Sequence, residues 1–250
     1  MVHTSIHDGI ATITLQRPQR LNALTWTVMD DLRAAITAHA ARDEVRALVI
    51  TGAGRAFCAG YDLIDLDTAV PDLPAAVQQE MTNSLNPLCQ AITDAAVPVL
   101  AAVNGPCAGG GLGIALLADI TIAAESAYFL IPQVSALGIV PDAGATWILP
   151  RVLGRARALG MALTGARIGA AQAEQWGMIW RCVPDTELMP QTVAVAAALA
   201  GRTAQVVATR TLIDAAVTTD LPAQLAAETR AQGIALGDPA AAAGIEGFRR

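Results

Sequence analysis

The chain has 250 residues, 54% hydrophobic and 15% charged, with a formal net charge of −6. That length and apolar content suit one domain with a large core, and the acidic balance argues against a nucleic-acid partner. All sixteen basic residues are arginine, which removes lysine Schiff-base and lysine general-base chemistry outright.

A mean hydropathy of +0.45 with so few charges points to subunit contacts rather than membrane insertion. The longest uncharged stretch, 95–118, holds Pro98, Asn104, Pro106 and five glycines, a poor composition for a lipid-spanning helix. Met1–Ser5 has no basic segment leading into an apolar one, so the expected location is the cytoplasm. Cys58, Cys89, Cys107 and Cys182 show neither CxxC spacing nor paired histidines, and are expected to be buried thiols with no metal.

In chain order, Ile10–Leu15 alternates at period two after Asp8-Gly9, which predicts a hairpin strand. From Thr25 to His39 the apolar spacing predicts an amphipathic helix capped near Thr25. Ala47–Gly52 is a short buried strand. Residues 64–74, with Asp65, Asp67, Asp72, Pro71 and Pro74, form an expected mobile surface segment. A helix to about Ala95 is followed by a strand at Val97–Val103, a buried helix at Ile114–Ala118 and a strand at Asp119–Ala124. After Pro150 the pattern is helical: Arg155–Leu163, Ala170–Trp176, then alanine-rich stretches from Glu187. The order implies an α/β core with a helical C-terminal part.

Two loops stand out. Arg55-Ala56-Phe57-Cys58-Ala59-Gly60-Tyr61-Asp62-Leu63 and Asn104-Gly105-Pro106-Cys107-Ala108-Gly109-Gly110-Gly111 each follow an apolar run and end in small residues before a helix. Peptide N–H groups at such places can point at a ligand. One donor from each loop would stabilise charge developing on a carbonyl oxygen, and a thioester is the expected carbonyl.

The glycine triplet is not a nucleotide cradle. Leu112-Gly113 follows it where a P-loop needs Lys-Ser/Thr, and the dinucleotide spacing is not met. A plain strand-to-helix turn is the alternative. None of the four serines lies in GxSxG, and His3, His7 and His39 sit near the N-terminus, so proton transfer falls to a carboxylate, a tyrosine or water.

Asp142 lies among apolar residues in Leu137-Gly138-Ile139-Val140-Pro141-Asp142-Ala143-Gly144. It is either a helix N-cap or, facing an apolar pocket, an acid with a raised pKa suited to proton shuttling. Asp119 is expected to hold a backbone turn and Asp62 to be structural. Trp147, Trp176 and Trp180 are expected in the core.

Taken together, these segments resemble the crotonase superfamily, the enoyl-CoA hydratase/isomerase family. The matching pieces are Arg17-Pro18 with Leu21-Asn22-Ala23-Leu24, the 56–63 loop, 101–105 with the glycine triplet, Ala118-Asp119-Ile120, 137–144, and Leu163-Thr164-Gly165 with Ala170, Ala173 and Gly177. The stretches 146–151 and 176–180 are similar to the ring-epoxide-CoA isomerase branch of phenylacetyl-CoA breakdown.

The resemblance implies a spiral of ββα units over residues 1–190, a helical trimerisation region over 191–250, and a homotrimer or dimer of trimers. It implies an acyl-CoA substrate with no tightly bound cofactor, and oxyanion donors at the Tyr61 and Gly110 N–H groups. Arg20, Leu21, Ala23, Ala59, Gly60, Asp62, Leu63 and Gly109 would border the CoA thioester. Family members often place a C-terminal lysine near the CoA phosphates, whereas Arg249-Arg250 end this sequence.

Family hydratases use two glutamates. Here Gly113 occupies the first position, and the second falls near Gln133, which cannot act as a base at neutral pH. Asp142 takes the place of the working aspartate of some isomerases and a dehalogenase. The expected activity is therefore CoA-ester isomerisation with Asp142 as proton shuttle. The alternatives are a hydratase recruiting Asp65, Asp67 or Glu80, and a non-catalytic acyl-CoA-binding protein.

Overall fold

A computed structural model describes residues 1–249; the expectation at Arg250 lies outside them. The hairpin pairs β1 (Val2–His7) with β2 (Ile10–Leu15), and both turn residues, Asp8 and Gly9, have positive φ, as a two-residue primed turn requires. The chain then supplies β3 (Ala47–Gly52), β4 (Val99–Val103), β5 (Pro106–Ala108), β6 (Ile120–Ala124), β7 (Tyr128–Leu130), β8 (Ile168–Gly169) and β9 (Arg181–Val183). One sheet runs in the order β1-β2-β3-β4-β6-β9 and is parallel from β2 onward. Every residue of β3 and β4 is buried, because helices cover both faces there. A smaller sheet of β5, β7 and β8 stands beside it.

Helix α1 (Trp26–Ala40) begins where expected: the Thr25 hydroxyl accepts from the Val28 N–H at 3.3 Å, and Val28, Met29, Leu32 and Ile36 form the buried stripe. The helix expected to reach Ala95 is broken into α2 (Leu73–Glu80), a wide turn at Met81–Leu85 and α3 (Asn86–Thr93). Pro87 lacks the N–H that a continuous ladder needs, so the preceding turn widens. The segment before Leu73 is irregular, as Pro71 and its aspartates suggest, while Leu73 and Pro74 belong to the first turn of α2.

Helix α4 (Gly110–Leu116) starts on the glycine triplet. Helix α5 (Ala145–Thr164) begins ten residues before the expected Arg155, tolerates Pro150 inside, and breaks at Gly154, whose φ is 72°. Helices α6 (Ala170–Gln175), α7 (Leu188–Ala200), α8 (Thr203–Ala215), α9 (Leu221–Leu236) and α10 (Pro239–Phe248) follow. Leu188, Thr192 and Ala196 of α7 are buried, whereas α8 and α9 have no buried residue in this chain alone.

Three expectations need correction. Asp119 does more than hold a turn: its carboxylate accepts from the Val99 N–H at 2.8 Å and pairs with Arg210 of α8 at 3.2 Å. Arg210 also donates to the Ala95 carbonyl, so α8 is fastened to the start of β4. Trp147 and Trp180 are 43% and 49% exposed rather than core, each lying under a guanidinium, Arg151 at 3.9 Å and Arg181 at 4.4 Å. Trp176 does pack on the core. Cys58 and Cys107 are buried, but Cys89 and Cys182 are only partly so. Among the described residues no single helix is long and apolar enough to cross a membrane; Asp185–Ala200 and Thr203–Ala215 pass that test only as a pair bent by 97°.

Candidate active site

The two loops singled out by sequence are joined by main-chain bonds. Phe57 and Cys58 N–H groups donate to the Pro106 carbonyl at 3.1 Å, and Ala108 N–H donates to the Cys58 carbonyl at 2.9 Å. On its other side the first loop pairs with the segment before α1: Leu24 N–H to Gly60 O and Asp62 N–H to Leu24 O, both 2.7 Å, and Ala59 N–H to Leu21 O at 3.0 Å. This alternation leaves Tyr61 N–H turned away from Leu24. Among the described residues, neither the Tyr61 N–H nor the Gly110 N–H meets an acceptor. Gly110 is the first residue of α4, where helix donors are unpaired by geometry.

Small residues permit this approach. A β-carbon on Gly60, whose φ is +91°, would lie 3.0 Å from the Ala108 carbonyl oxygen and 3.5 Å from the Gly110 nitrogen. One on Gly111 would fall 2.6 Å from the Cys58 carbonyl oxygen. The triplet is thus more than a tight turn, because it lets one loop lie against the other.

Tyr61 and Gly110 line one cavity of about 240 Å³ together with Ala59, Gly60, Leu63, Gly109, Gln133 and Asp142. Its walls are apolar, built by Leu24, Trp26 and Met29 on one side, Val77, Met81 and Leu85 from the α2–α3 region, and Leu137 and Ile139. The Tyr61 ring stacks on Trp26 at 4.7 Å between centroids, and burial pushes its phenol pKa up. A larger cleft of about 590 Å³, bounded by Cys89, Leu117, Trp147 and Arg210, contains neither loop.

Among the described residues lining the smaller cavity, Asp142 brings the one carboxylate. It is not the N-cap of α5, a position held by Gly144. Ala143 and Gly144 both have positive φ, 49° and 74°, a strained turn that holds Asp142 ahead of the helix. Burial raises its pKa above the ordinary 3.8, opposed by a 3.3 Å hydrogen bond from Gln133 Nε2 to Oδ1. Gly113 is pressed against this turn, and a β-carbon there would lie 2.0 Å from the Ala143 carbonyl oxygen.

The remaining sequence candidates, Arg20, Leu21, Ala23 and Asp62, do not line the cavity. The Asp62 side chain is 4% exposed and ion-paired to Arg20 and, at 3.0 Å, to Arg17; the Arg20 guanidinium beside it holds its pKa down at about 2. Arg20 keeps 36% of its side chain exposed. The Ala23 carbonyl accepts from Arg17 at 2.6 Å, so Leu21 and Ala23 act here through their backbone. Asp65, Asp67 and Glu80 do not line the cavity. Burial raises the Cys58 thiol to about 12 and Cys107 well above its usual range, so neither supplies a thiolate. Among the described residues no three His, Cys, Asp or Glu side chains gather as a metal site.

Sequence reasoning missed the work of two asparagines. Asn22, 1% exposed, donates to the Ala53 and Ala56 carbonyls at 2.9 and 2.7 Å and accepts from Arg17 N–H at 2.9 Å. Asn104 bonds both the N–H and the carbonyl of Gly52. Asn104 opens the second loop, which was an available signal, whereas Asn22 lies 34 positions from the Ala56 carbonyl it holds and nothing in the sequence joins them.

A family model for enoyl-CoA hydratase/isomerase matches residues 5–248. Over 233 residues the chain is 46% identical to a protein named probable enoyl-CoA hydratase from Rhodobacter capsulatus, covering 93% of this chain and 88% of that one. It is 44% identical over 187 residues to the 1,2-epoxyphenylacetyl-CoA isomerase of Escherichia coli K12, covering 73% and 70%. The crystal structure of an enoyl-CoA hydratase from Polaromonas sp. JS666 superposes with a TM-score of 0.92 at 29% identity, covering 99% of this chain and 96% of that one.

Proposed function

Starting from a chain that belongs to the enoyl-CoA hydratase/isomerase family, we propose that this acyl-CoA-processing enzyme is a CoA-ester isomerase. The observation that carries the reading is the pairing of two unengaged peptide N–H groups with one partly buried carboxylate in a single apolar cavity.

In this mechanism the thioester oxygen accepts from the Tyr61 and Gly110 N–H groups. Asp142 removes a proton from carbon: the C–H bond breaks, an O–H bond forms on the carboxylate, and the electron pair becomes an enolate held by the two donors. Asp142 then returns the proton to another carbon, moving a double bond or opening a strained ring. Each oxyanion donor is worth ~2.7–4 kcal/mol in such transition states. Burial of Asp142 suits the task by bringing its basicity closer to neutrality.

Ala59, Gly60, Leu63 and Gly109 border the thioester, and Arg20, Leu21, Ala23 and Asp62 form the rim where the CoA passes. Asp62 serves there by holding Arg20 in place. Residues 1–190 carry the site, and 191–250 assemble a trimer or a dimer of trimers. Ile213, Val217, Leu221, Leu225 and Ile234, all more than half exposed in this chain, suit that role.

The test is Asp142→Asn with a 3-enoyl-CoA. Loss of turnover with folding intact supports the reading; equal turnover by variant and parent refutes it. The relative named a hydratase favours a second reading, in which Asp142 alone activates water. Water-dependent loss of absorbance from a 2-enoyl-CoA, with no action on the 3-enoyl isomer, would establish that instead.

A further inference from the structure

Gln133 is 5% exposed, and its amide makes a single hydrogen bond among the described residues: Nε2 donates to Asp142 Oδ1 at 3.3 Å. Buried amides that hold a fold together bond the main chain, as Asn22 and Asn104 do beside the two loops. Gln133 directs its donor at the carboxylate instead.

Position 133 is itself firmly held. Its carbonyl accepts from the Ile139 N–H at 3.0 Å, which closes a wide turn over Gln133–Leu137, and Gly138 completes the reversal at a φ of 67°. A β-carbon on Gly109 would lie 3.4 Å from Nε2 and 3.8 Å from Cδ, so the amide is backed by the turn that starts α4. One residue therefore braces the Asp142 segment twice, by main chain at Ile139 and by side chain at the carboxylate.

The two carboxylate oxygens are left unequal. Oδ1 is engaged by Gln133 and lies toward α4, 3.8 Å from where a β-carbon on Gly110 would stand. No side chain among the described residues donates to Oδ2. An amide N–H aimed at Oδ1 opposes a proton there, because it cannot accept one. We propose that Gln133 is a positioning residue of the reaction: its Nε2–H fixes Oδ1 of Asp142 so that Oδ2 takes and returns the proton. The proposal rests on the isomerase reading above and adds the group that holds its base.

A hydrogen bond to an ionised carboxylate also favours the ionised form, so Gln133 opposes the rise that burial imposes on Asp142. Among the described residues no charged side chain shifts Asp142. Helix α4 has no titratable residue, and the first basic group of α5, Arg151, is stacked on Trp147. The groups that do titrate nearby stay neutral. Burial, aided by the Asp142 charge, pushes the Cys89 thiol of α3 up to about 11, and burial raises the Tyr61 phenol on the cavity wall. A change in the acid limb of the rate profile thus reports Asp142 itself.

The experiment measures kcat, KM and the acid limb of Gln133→Met, near in volume but without the donor, on a 3-enoyl-CoA. kcat should fall at least ~10-fold while KM stays within about threefold, since a displaced base loses rate rather than binding. The acid limb should move up by about one pH unit. In an Asp142→Asn background the same substitution should cost nothing further, because Gln133 acts through Asp142 alone. Parental kcat, an unmoved acid limb, or an equal further loss beside Asp142→Asn each overturns the proposal. Should Gln133→Met not fold, Gln133→Glu replaces it: the shape is kept, the second carboxylate repels the first, and the expected directions are the same.

If the parent leaves the 3-enoyl ester unchanged, the isomerase reading fails, and carbon-13 NMR titration of the Asp142 carboxyl, assigned by its disappearance in Asp142→Asn, decides the contact separately. A midpoint about one pH unit higher in Gln133→Met than in the parent sustains the hold on Asp142. Equal midpoints overturn it.

Discussion

Gly113 and Ala143 are in such close contact that a single added methyl at position 113 would lie 2.0 Å from the Ala143 carbonyl oxygen and 2.7 Å from its β-carbon. The turn that presents Asp142 fills the space a side chain at 113 would need. A carboxylate on α4 and the Asp142 turn in its present place exclude one another sterically. Gly113→Glu is therefore expected to gain no hydration of a 2-enoyl-CoA. It should also lose isomerisation by at least ~100-fold and melt at lower temperature, since overpacking a tight contact costs about 1–3 kcal/mol or more. A variant that hydrates efficiently at the parental melting temperature would show the turn free to move aside.

With Asp142 as the proposed base, its raised pKa should set the acid limb of the rate profile. As pH falls, kcat/KM should drop through an apparent pKa above the ordinary 3.8, because the base is lost once protonated. The same shift fixes a sign for stability: the native state binds this proton more tightly than the unfolded chain, so stability falls as pH rises through the window above 3.8. Asp142→Asn should remove that loss and match or exceed the parent in stability at pH 7 while losing ~10²–10⁴-fold in rate. Calorimetric melts at several pH values, paired with rates, check both halves.

Asp62 behaves oppositely. Its pKa is depressed to about 2 by Arg20 and Arg17, so its contribution is complete above the ordinary 3.8 and disappears as pH falls through about 2. That contribution is on the order of 1–2 kcal/mol. Asp62→Asn should flatten the acid-unfolding curve in that window, and should raise KM for acyl-CoA because Arg20 is no longer held. An unchanged KM would remove Arg20 from the CoA rim.

The Asp119–Arg210 pair is 11% and 13% exposed, so removing one partner leaves the other charge poorly solvated. Arg210→Met should cost about 3 kcal/mol. Burial raises the Asp119 pKa despite its partner, so adding Asp119→Asn to Arg210→Met should recover part of the loss. Denaturant unfolding of the two single variants and the double variant measures the coupling.

Local patterns were the legible part of this chain. Period-two alternation identifies β2, the Thr25 cap opens α1, and the small-residue runs mark both loops. Asp142 stood out because a lone carboxylate in an apolar run must either cap or work. Pairings between distant residues were not legible. Asp119 meets Arg210 across 91 positions, and nothing near either residue marks the other. Gln133 stands near the position of the family's second glutamate, and its bond to Asp142 emerges only once the 133–142 segment folds back on itself. Trp147 and Trp180 misled because apolar sequence neighbours suggest burial, whereas an arginine stacked on the ring leaves it at the surface.

The contacts that bring Tyr61 beside Gly110 run almost wholly from peptide to peptide, through Leu24, Cys58, Pro106 and Ala108. Side-chain identity at 133 and 142 has little part in that weave. A lineage could therefore exchange the side chains at 133 and 142 while this main-chain frame persisted. New reactions on this scaffold would then arise by re-equipping a constant frame.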